Sequence, residues 1–545
     1  MKKLTRYFHT LRFLKFKQIA YRLKYRFFKV KPKEIGTLQR RELCLKEWVS
    51  YELGSQKIFS GFNCRFLNHD GHVTSKDSWN DNNYSKLWLY NLHYFDDLCS
   101  QGAVKRRLEH KEWMDRWIED NPIGHGNGWE SYPTSLRTVN WMKAFLSGFP
   151  TTELWMHSLS NQLNYLESNL EYHLLGNHLF ANAKALLFGG CFFEGKIADS
   201  WRKAAIDIIE CELDEQVLAD GTNFELTPMY HAIILVDILD LINLSNICSE
   251  SFPSSLAFRL REKASAMLTV LKALSHPDEK ISFFNDSTFG IAPENSQIFQ
   301  YASRLGLSHK CSFDDKRFLY LQDSGYLSVK YNRCFLIADL GEIGPSYLPG
   351  HAHADTLSFE LSLDDKRFIV NSGISEYGIS DERLRQRKTA AHNTVSVDNL
   401  DSSEVWSGFR VARRASIVER VISSSERKFS ATHNGFKGQG VNCLHRREWS
   451  FNEASLTIID ELIGKANNAI GYFHFHPSLK IVVKHNKCLE VSLEDIAVNI
   501  SFEGADFVLE TSTWHPEFGL SIPNKVLLFT FCKNKVVTRI EWNLS

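Results

Sequence analysis

The first half of the chain has its apolar residues at helical spacing. Between about Trp88 and Leu305, apolar positions recur every three to five residues, as in Leu154, Leu159, Leu163, Leu166, Leu170 and Leu174. This is the spacing of one face of an α-helix. Such segments return at intervals of roughly 25–35 residues without a sharp sequence repeat. The pattern therefore predicts stacked helical hairpins, arranged either as a solenoid or as a closed toroid.

The second half changes to a period of two. After about Lys316, short alternating stretches such as "DTLSFELSL" and "SLTIIDELIG" are bounded by turn residues. A run of short strands without helices between them predicts an antiparallel sandwich. We therefore expect a basic arm and lead-in over residues 1–80, a helical domain over 81–312 and a β-sandwich over 313–545. No Pro/Gly/Ser-rich linker separates the last two, so we expect them to pack tightly.

Size, charge and cysteine content argue against several classes of protein. The 545 residues are too many for one ordinary core, and the formal net charge is +0. Residues 1–33 contain twelve Lys/Arg and no Asp/Glu, which leaves 52 basic and 64 acidic residues elsewhere. A basic arm on a mildly acidic body is not typical of a nucleic-acid-binding protein. The eleven cysteines include no CxxC pair, which argues against a disulfide framework and against a zinc finger.

The N-terminal 30 residues leave two interpretations open. Arg12, Lys15 and Lys17 interrupt every apolar run, so the sequence shows no cleavable secretory signal. The arm could form an amphipathic basic helix on an anionic membrane surface. Alternatively, its aromatic side chains pack on the protein body while Lys and Arg stay solvated, and the density of aromatic residues favours this second interpretation.

Three predicted helix starts carry polar side chains suited to chemistry. Asn177 and His178 open a small-residue helix, where Asn is also a common cap. Glu130 and Arg137 lie at a second start rich in aromatic residues, which could line a carbohydrate groove or serve as ordinary cap residues.

At the third start, Thr227 and Pro228 predict an N-cap followed by the first helical residue. Tyr230 and His231 then fall in the opening turn of the helix, with Glu225 just upstream. A tyrosine here could belong to a site or to the core.

The β-rich half contributes three histidines next to strands. His351 and His353 lie two residues apart, and His392 follows a charged loop. On a strand, residues two apart face the same side, so a metal could be bound; in a loop the two rings could serve different purposes. The pair Asn285-Asp286 could line a carbohydrate groove or form an ordinary turn, and we favour the turn.

Six segments, in order, resemble the heparinase II/III superfamily of polysaccharide lyases: "LWLYNLHYFDDL", "WESYPTSLRTVNW", "GNHLFANAKAL", "DGTNFELTPMYH", "GHAHADTLSFELS" and "AAHNTVSVDN". The resemblance covers most of the chain. It implies an N-terminal (α/α) toroid followed by an antiparallel β-sandwich. It also implies β-elimination on a uronic-acid-containing polysaccharide.

The resemblance assigns roles to residues of this chain. Asn177 would hold the uronate carboxylate with His178 beside it. Tyr230 would be the acid and, in some geometries, also the base, and His351 would be the second proton-transfer group. Side chains expected at the substrate are Glu130, Arg137, Glu225 and His231.

A structural zinc ion is also implied, with His353 and His392 as two ligands. The third ligand position, an acid in the family, is Asn371 in this chain, and a neutral amide is a poor zinc ligand. We therefore expect zinc either to bind weakly through His353 and His392 or to be replaced by a hydrogen-bond network.

The sequence thus predicts a lyase acting on an acidic polysaccharide, in bacterial surface polysaccharide metabolism. The alternative is a non-catalytic protein that binds acidic glycans in capsule or lipopolysaccharide assembly. The resemblance places it in the bacterial cell envelope, whereas the missing signal favours the cytoplasm or the inner membrane. We expect no nucleic-acid partner. Peripheral membrane contact through residues 1–30 stays one of the two open interpretations of the arm, and the oligomeric state stays open.

Overall fold

The computed structural model describes residues 2–28, 31–42, 47–308, 318–485, 487–494 and 496–543. The chain is mainly helical before residue 304 and mainly antiparallel β-sheet after residue 318. This confirms the predicted change from helical to strand periodicity. The predicted boundary between residues 312 and 313 lies outside the described residues.

Helices of the N-terminal region account for all but one of the α-helices in the described chain. Their bounds are α1 Lys2–Leu11, α2 Phe16–Phe27, α3 Lys86–Tyr94, α4 Arg107–Asp120, α5 Ser131–Leu146, α6 Glu153–Glu167, α7 Gly176–Phe192, α8 Lys196–Gln216, α9 Pro228–Ile247, α10 Ser254–Ala273 and α11 Asn295–Arg304, with α12 Asp381–Arg387 in the C-terminal region.

Strands form one small sheet before α3 and several antiparallel sheets after α11. The small sheet, which the sequence pattern did not predict, contains β1 Ile58–Phe59, β2 Asn63–Phe66 and β3 His69–His72. The C-terminal strands are β4 Phe318–Tyr320, β5 Tyr326–Tyr331, β6 Cys334–Asp339, β7 Phe359–Leu363, β8 Lys366–Ile369, β9 Val395–Val397, β10 Val405–Trp406, β11 Arg410–Val411, β12 Ile417–Ser423, β13 Lys428–His433, β14 Cys443–Asn452, β15 Ser455–Gly464, β16 Ala469–His474, β17 Lys480–His485, β18 Cys488–Leu493, β19 Ile496–Glu503, β20 Ala505–Trp514, β21 Ile522–Phe531 and β22 Lys535–Trp542.

Most of the paired C-terminal strands are neighbours in sequence, but β22, β16 and β9 also pair with strands that are distant in sequence. An eight-stranded sheet has the order β12-β13-β14-β15-β22-β19-β18-β17, a four-stranded sheet the order β20-β21-β16-β9, and a five-stranded sheet the order β4-β5-β6-β7-β8. Strands β14 and β15 alternate between buried and partly exposed positions, as expected for a sheet with one face on the core. Leu336, Trp449 and Leu527, one from each sheet, belong to a single apolar core.

Two central helices show why the helical region packs as it does. In α7 every residue except His178 is buried, and its small side chains let α5 and α8 approach closely. A Cβ on Gly190 would lie 2.7 Å from the backbone nitrogen of Arg202, so only glycine fits there. Helix α9 is long and apolar enough to span a membrane, but 72% of its most apolar window is buried inside the protein. Its apolar composition is therefore explained by its position in the protein core.

The segment between α10 and α11 joins the two regions. Its backbone N–H groups at Phe283 and Asn285 donate to the carboxylates of Glu360 (3.1 Å) and Asp355 (3.1 Å) in the β-sheet region. His276, after α10, is 2.8 Å from the same Glu360. Because these groups are all buried, the hydrogen bonds fix the position of one region on the other. Asp286, which follows Asn285, lies at the candidate site.

Candidate functional site

The start of α9 brings a tyrosine from the helical region to the sheet region. The Thr227 hydroxyl accepts a hydrogen bond from the Tyr230 backbone N–H (2.9 Å) with Pro228 at the first helical position, which confirms the predicted cap. The rings of Tyr230 and His351 lie 4.1 Å apart between centroids. Residues distant in sequence therefore meet at one place, as the resemblance requires.

His351 is held by a carboxylate that sequence reasoning assigned to a turn. Its Nδ1 lies 2.8 Å from Oδ2 of Asp286, and its Nε2 lies 3.5 Å from Oε2 of Glu225. Asp286 also binds His353 Nε2 (2.7 Å) and the guanidinium of Arg383 (2.5 and 2.7 Å). Asp286 thus connects both histidines of the "HAH" motif to one buried arginine.

The charge state of Asp286 follows from these contacts. Burial alone would raise its pKa, but Arg383 and the two imidazole partners outweigh burial and hold the pKa well below its ordinary value. An ionised carboxylate only accepts hydrogen bonds, so Nδ1 of His351 carries the proton. In the neutral ring this leaves the Nε2 lone pair available to accept another proton.

Tyr230 has a second tyrosine as its hydrogen-bond partner. Its hydroxyl lies 3.2 Å from the hydroxyl of Tyr377, a residue that no sequence pattern singled out. Burial, with smaller contributions from Tyr377 and other neighbours, raises the pKa of Tyr230 well above its ordinary value. At neutral pH the phenol is therefore protonated and can donate a proton.

The start of α7 supplies the second group of polar side chains. Asn177 is the second residue of the helix rather than its N-cap, and it is buried. His178 Nδ1 contacts Glu171 (3.1 Å), whose other oxygen accepts from Asn182 (3.0 Å). Burial lowers the pKa of His178, but Glu171 and, to a smaller extent, Glu225 together outweigh burial, so the net shift is upward and favours the imidazolium form.

Glu225 lies between the two groups of polar residues. Neither of its carboxylate oxygens has a hydrogen-bond donor at normal geometry within the described residues, although His351 is close. Burial raises its pKa, against the opposing influence of His351 and His178. A Cβ on Gly176, where φ is +58°, would lie 2.4 Å from Leu348 and 3.3 Å from Glu225. Glycine thus allows the start of α7 to approach this carboxylate.

A cavity of about 380 Å³ extends from Tyr230 into the helical region. Tyr132, whose ring lies 4.4 Å from that of His178, also lines it, as does Tyr377. Two lysines and two aspartates, which form ion pairs with one another, also line it: Lys143, Lys184, Asp237 and Asp240. The volume is within the range of small-ligand sites.

Three residues assigned to substrate binding are either enclosed in the helical core or bonded to other side chains of the protein. Arg137 has no exposed surface: its guanidinium donates to Gln162 (2.8 Å) and to the His93 carbonyl (3.2 Å) and stacks on Trp117. This geometry does not support substrate binding by Arg137, because its side chain is enclosed in the helical core.

His231 is likewise enclosed, since Nε2 contacts the Met267 carbonyl (2.8 Å) and Nδ1 accepts from the Asn223 backbone (3.2 Å). Glu130 is partly exposed and is held by Lys86 and Tyr90. Of the four expected substrate residues, Glu225 is the one that contacts His351.

The three expected zinc ligands form a buried chain. His353 Nδ1 lies 3.1 Å from His392 Nε2, and His392 Nδ1 lies 3.2 Å from Oδ1 of Asn371, which also accepts from Ser358 (2.7 Å). Within the described residues, no group of three or more His, Cys, Asp or Glu side chains is arranged to hold a metal. A structural zinc site has four thiolate, imidazole or carboxylate ligands. Two imidazoles and a neutral amide do not fit such a site.

Comparison with known protein families gives two matches that together span most of the chain. The model described as "Heparinase II/III N-terminus" matches residues 73–304, and the one described as "Heparinase II/III-like, C-terminal" matches residues 314–543.

Curated relatives and solved structures agree with these matches. A heparin-sulfate lyase of Bacteroides stercoris is 25% identical over 74% of this chain and 61% of its own length, and one of Pedobacter heparinus is 26% identical over 72% and 58%. The chain thus spans about three fifths of the length of these relatives.

Among solved structures, a crystal structure of heparinase III has a TM-score of 0.71 at 17% identity, covering 96% of this chain and 89% of that one. A mutant of the heparan sulfate lyase HepC from Pedobacter heparinus has a TM-score of 0.58 at 19% identity, covering 89% and 82%. At these identities the structures establish the fold alone.

Proposed function

The chain belongs to the heparinase II/III family, and from this premise we propose that it is a polysaccharide lyase that cleaves a uronic-acid-containing glycan by β-elimination. The observation that carries the proposal is the meeting of Tyr230 and His351 beside a cavity, with ring centroids 4.1 Å apart. One side chain has a protonated hydroxyl and the other an unshared nitrogen lone pair. These are the acid and the base that an elimination needs.

The first requirement of the reaction is to make a carbon-bound proton removable. This proton lies next to the uronate carboxylate, and its loss builds negative charge on the carboxylate oxygens. Asn177 can donate its amide N–H groups to them, and His178, whose pKa is raised by Glu171, can place a positive charge beside them. Donors fixed in advance stabilise the developing charge more than water does.

The proton transfers then follow from the hydrogen bonds. Nε2 of His351 takes the proton from carbon while Asp286 holds the Nδ1–H and fixes the ring orientation. The electron pair of that bond forms the new carbon–carbon double bond, and the glycosidic bond on the neighbouring carbon breaks. The Tyr230 hydroxyl gives its proton to the leaving oxygen, and the Tyr377 hydroxyl, 3.2 Å away, can support the phenolate that results.

The experiment is an assay for the unsaturated product. Purified protein is incubated with uronate polymers, and ultraviolet absorbance reports the new double bond. We expect Tyr230→Phe and Asn177→Ala each to reduce kcat/KM by about 10²–10⁴-fold. Tyr84→Phe is the matched control, because Tyr84 is a partly exposed tyrosine stacked on Trp88 outside the cavity, and its activity should be unchanged.

Other results would identify a different function. Unchanged rates in both Tyr230→Phe and Asn177→Ala would refute the catalytic roles assigned to Tyr230 and Asn177. Tight binding of acidic glycans without any double bond after long incubation would indicate a non-catalytic binding protein. Saturated reducing ends would indicate a hydrolase.

We also infer the finer architecture from the same family. The helices would close as an (α/α) toroid, which is supported by the cavity that α3, α5, α7 and α9 all line. The sheets would stack as a β-sandwich, which is supported by the core that the three larger sheets share.

We further propose that the protein acts in the bacterial cell envelope on surface polysaccharide. This rests on the bacterial origin of the curated relatives and on the basic arm. Cell fractionation followed by detection of the protein tests it, and recovery in the soluble fraction alone would contradict it.

A further inference from the structure

The N-terminal arm, residues 2–28, is fixed to the protein by one side of its two helices. Arg6 forms an ion pair with Glu404 in the sheet region (2.7 Å), and Lys15 forms one with Glu215 at the end of α8. The Gln18 amide is within hydrogen-bond distance of the carbonyl oxygens of Leu174 (3.3 Å) and Tyr347 (3.4 Å). The arm therefore contacts both the helical region and the sheet region.

The opposite side of both helices is apolar and exposed. Seven side chains there, which we call the exposed stripe, have 42–83% of their surface accessible: Leu4, Phe8, Leu11, Phe16, Ile19, Leu23 and Phe27. Within each helix they recur at steps of three or four residues, so they form one face. Single exposed apolar residues are ordinary, whereas a continuous patch marks a surface for another partner.

The aromatic residues of the arm thus divide between two surroundings. Tyr7 packs edge-on against Trp406, and Phe13 lies beneath the guanidinium of Arg414. These contacts agree with the interpretation in which the aromatics pack on the body. The stripe phenylalanines do not, because they face away from the protein.

The charge around the stripe restricts what can cover it. Residues 1–33 contain no acidic residue, and exposed basic side chains on the arm include Arg12, Lys17, Arg22, Lys24 and Arg26. A second copy of the arm would bring like charges together. A soluble acidic polysaccharide would match the charge but would leave the stripe in water. An anionic lipid surface satisfies both, since it offers phosphates at the surface and hydrocarbon just beneath.

We propose that the arm docks the protein on an anionic lipid bilayer. The exposed stripe enters the boundary between headgroups and acyl chains, and the neighbouring Lys and Arg side chains bind lipid phosphates. This surface is separate from the Tyr230–His351 site, so docking does not depend on the reaction proposed above.

The test is sedimentation of the full chain with vesicles. Vesicles of phosphatidylcholine alone are compared with vesicles containing about one third phosphatidylglycerol, at low and at high salt. We expect wild-type protein to partition at least about tenfold more strongly onto the anionic vesicles, with the difference shrinking as salt rises. The combined variant Phe8→Ser, Phe16→Ser, Leu23→Ser, Phe27→Ser should lose at least about tenfold of this binding. Because these side chains are exposed, the variant should melt at the wild-type temperature.

Two control variants test whether the exposed stripe itself enters the bilayer. Phe258→Ser with Val508→Ser removes exposed apolar side chains elsewhere and should bind as wild type does. Lys17→Gln with Arg26→Gln should reduce the preference for anionic vesicles while keeping the stripe. Wild-type protein that stays in the supernatant, or a stripe variant that sediments equally, would overturn the proposal. A wild-type dimer that the stripe variant converts to a monomer would assign the stripe to a second copy instead.

Discussion

Replacing Asp286 by asparagine tests how the candidate site is built. Asp286 receives four hydrogen bonds, from His351, His353 and both terminal nitrogens of Arg383, and none of its surface is exposed. In Asp286→Asn the side chain keeps its size but loses its charge and one acceptor oxygen. The buried guanidinium then has no counter-charge, which costs about 3–5 kcal/mol of stability.

The cost depends on pH in a defined direction. The folded pKa of Asp286 lies below the value of about 3.9 for the unfolded chain. Its contribution is therefore complete above that pH and is lost as the pH falls through the folded pKa. Wild type and variant should differ most in unfolding free energy at neutral pH and should converge in acid.

Activity should fall for a separate reason. Without the carboxylate, Nδ1 of His351 is no longer fixed as the protonated nitrogen, so we expect kcat to fall by about 10²–10⁴-fold. The KM should change little, because Asp286 is buried and cannot touch the glycan. Rates are measured on uronate polymer at a temperature where circular dichroism shows the variant to be folded.

Asp278→Asn is the matched control. Asp278 also binds a buried arginine through two bonds, to Arg367 at 2.7 and 3.2 Å, but it touches neither histidine of the "HAH" motif. It should lose stability while keeping kcat. A folded Asp286→Asn protein with kcat within about threefold of wild type would refute the role given to Asp286.

Two further predictions concern zinc and a buried acid. Asn371→Asp places a carboxylate beside His392, whose other ring nitrogen contacts His353. The variant should therefore bind zinc by elemental analysis and melt at a higher temperature when zinc is added, whereas wild type should do neither. A zinc-dependent melting temperature in the wild type would contradict this. Burial raises the pKa of Glu212 to about 7, so its ionisation costs stability as the pH rises from about 4 to 7, up to about 3 kcal/mol. Glu212→Gln should therefore raise the melting temperature at pH above about 8 and have little effect near pH 4; an equal effect at both would refute the assignment.

Local patterns predicted the elements well, because they depend on residues close in sequence. The change from helical to strand periodicity and the Thr227-Pro228 cap were both confirmed. Asn177 and Arg137 show the limit of this reasoning. Both lie near helix starts, yet one is the second helical residue and the other is enclosed against Gln162 and Trp117. Nothing within a few residues of either position distinguishes a cleft from a core.

Asp286 and Tyr377 could not be found from local patterns for a related reason. Asp286 lies in a segment whose residues are typical of a turn, and its arginine partner is 97 residues away. Tyr377 has no neighbouring motif, and its partner Tyr230 is 147 residues away. Asp286 and Tyr377 contact these partners only after the helical region and the sheet region have packed together. His353 and His392, in contrast, were grouped by resemblance, and the structure places their rings together.

The candidate site depends on the packing of the two regions in a way that links folding to function. Asp286 belongs to the segment between α10 and α11, whereas the histidines and the arginine that it binds come from the sheet region. Tyr230 likewise needs His351 and Tyr377 from the other side. Neither region alone holds both the acid and the base. The arm also contacts both regions, through Glu215 and Glu404. A change that loosens the interface between the two regions should therefore abolish turnover before either region unfolds.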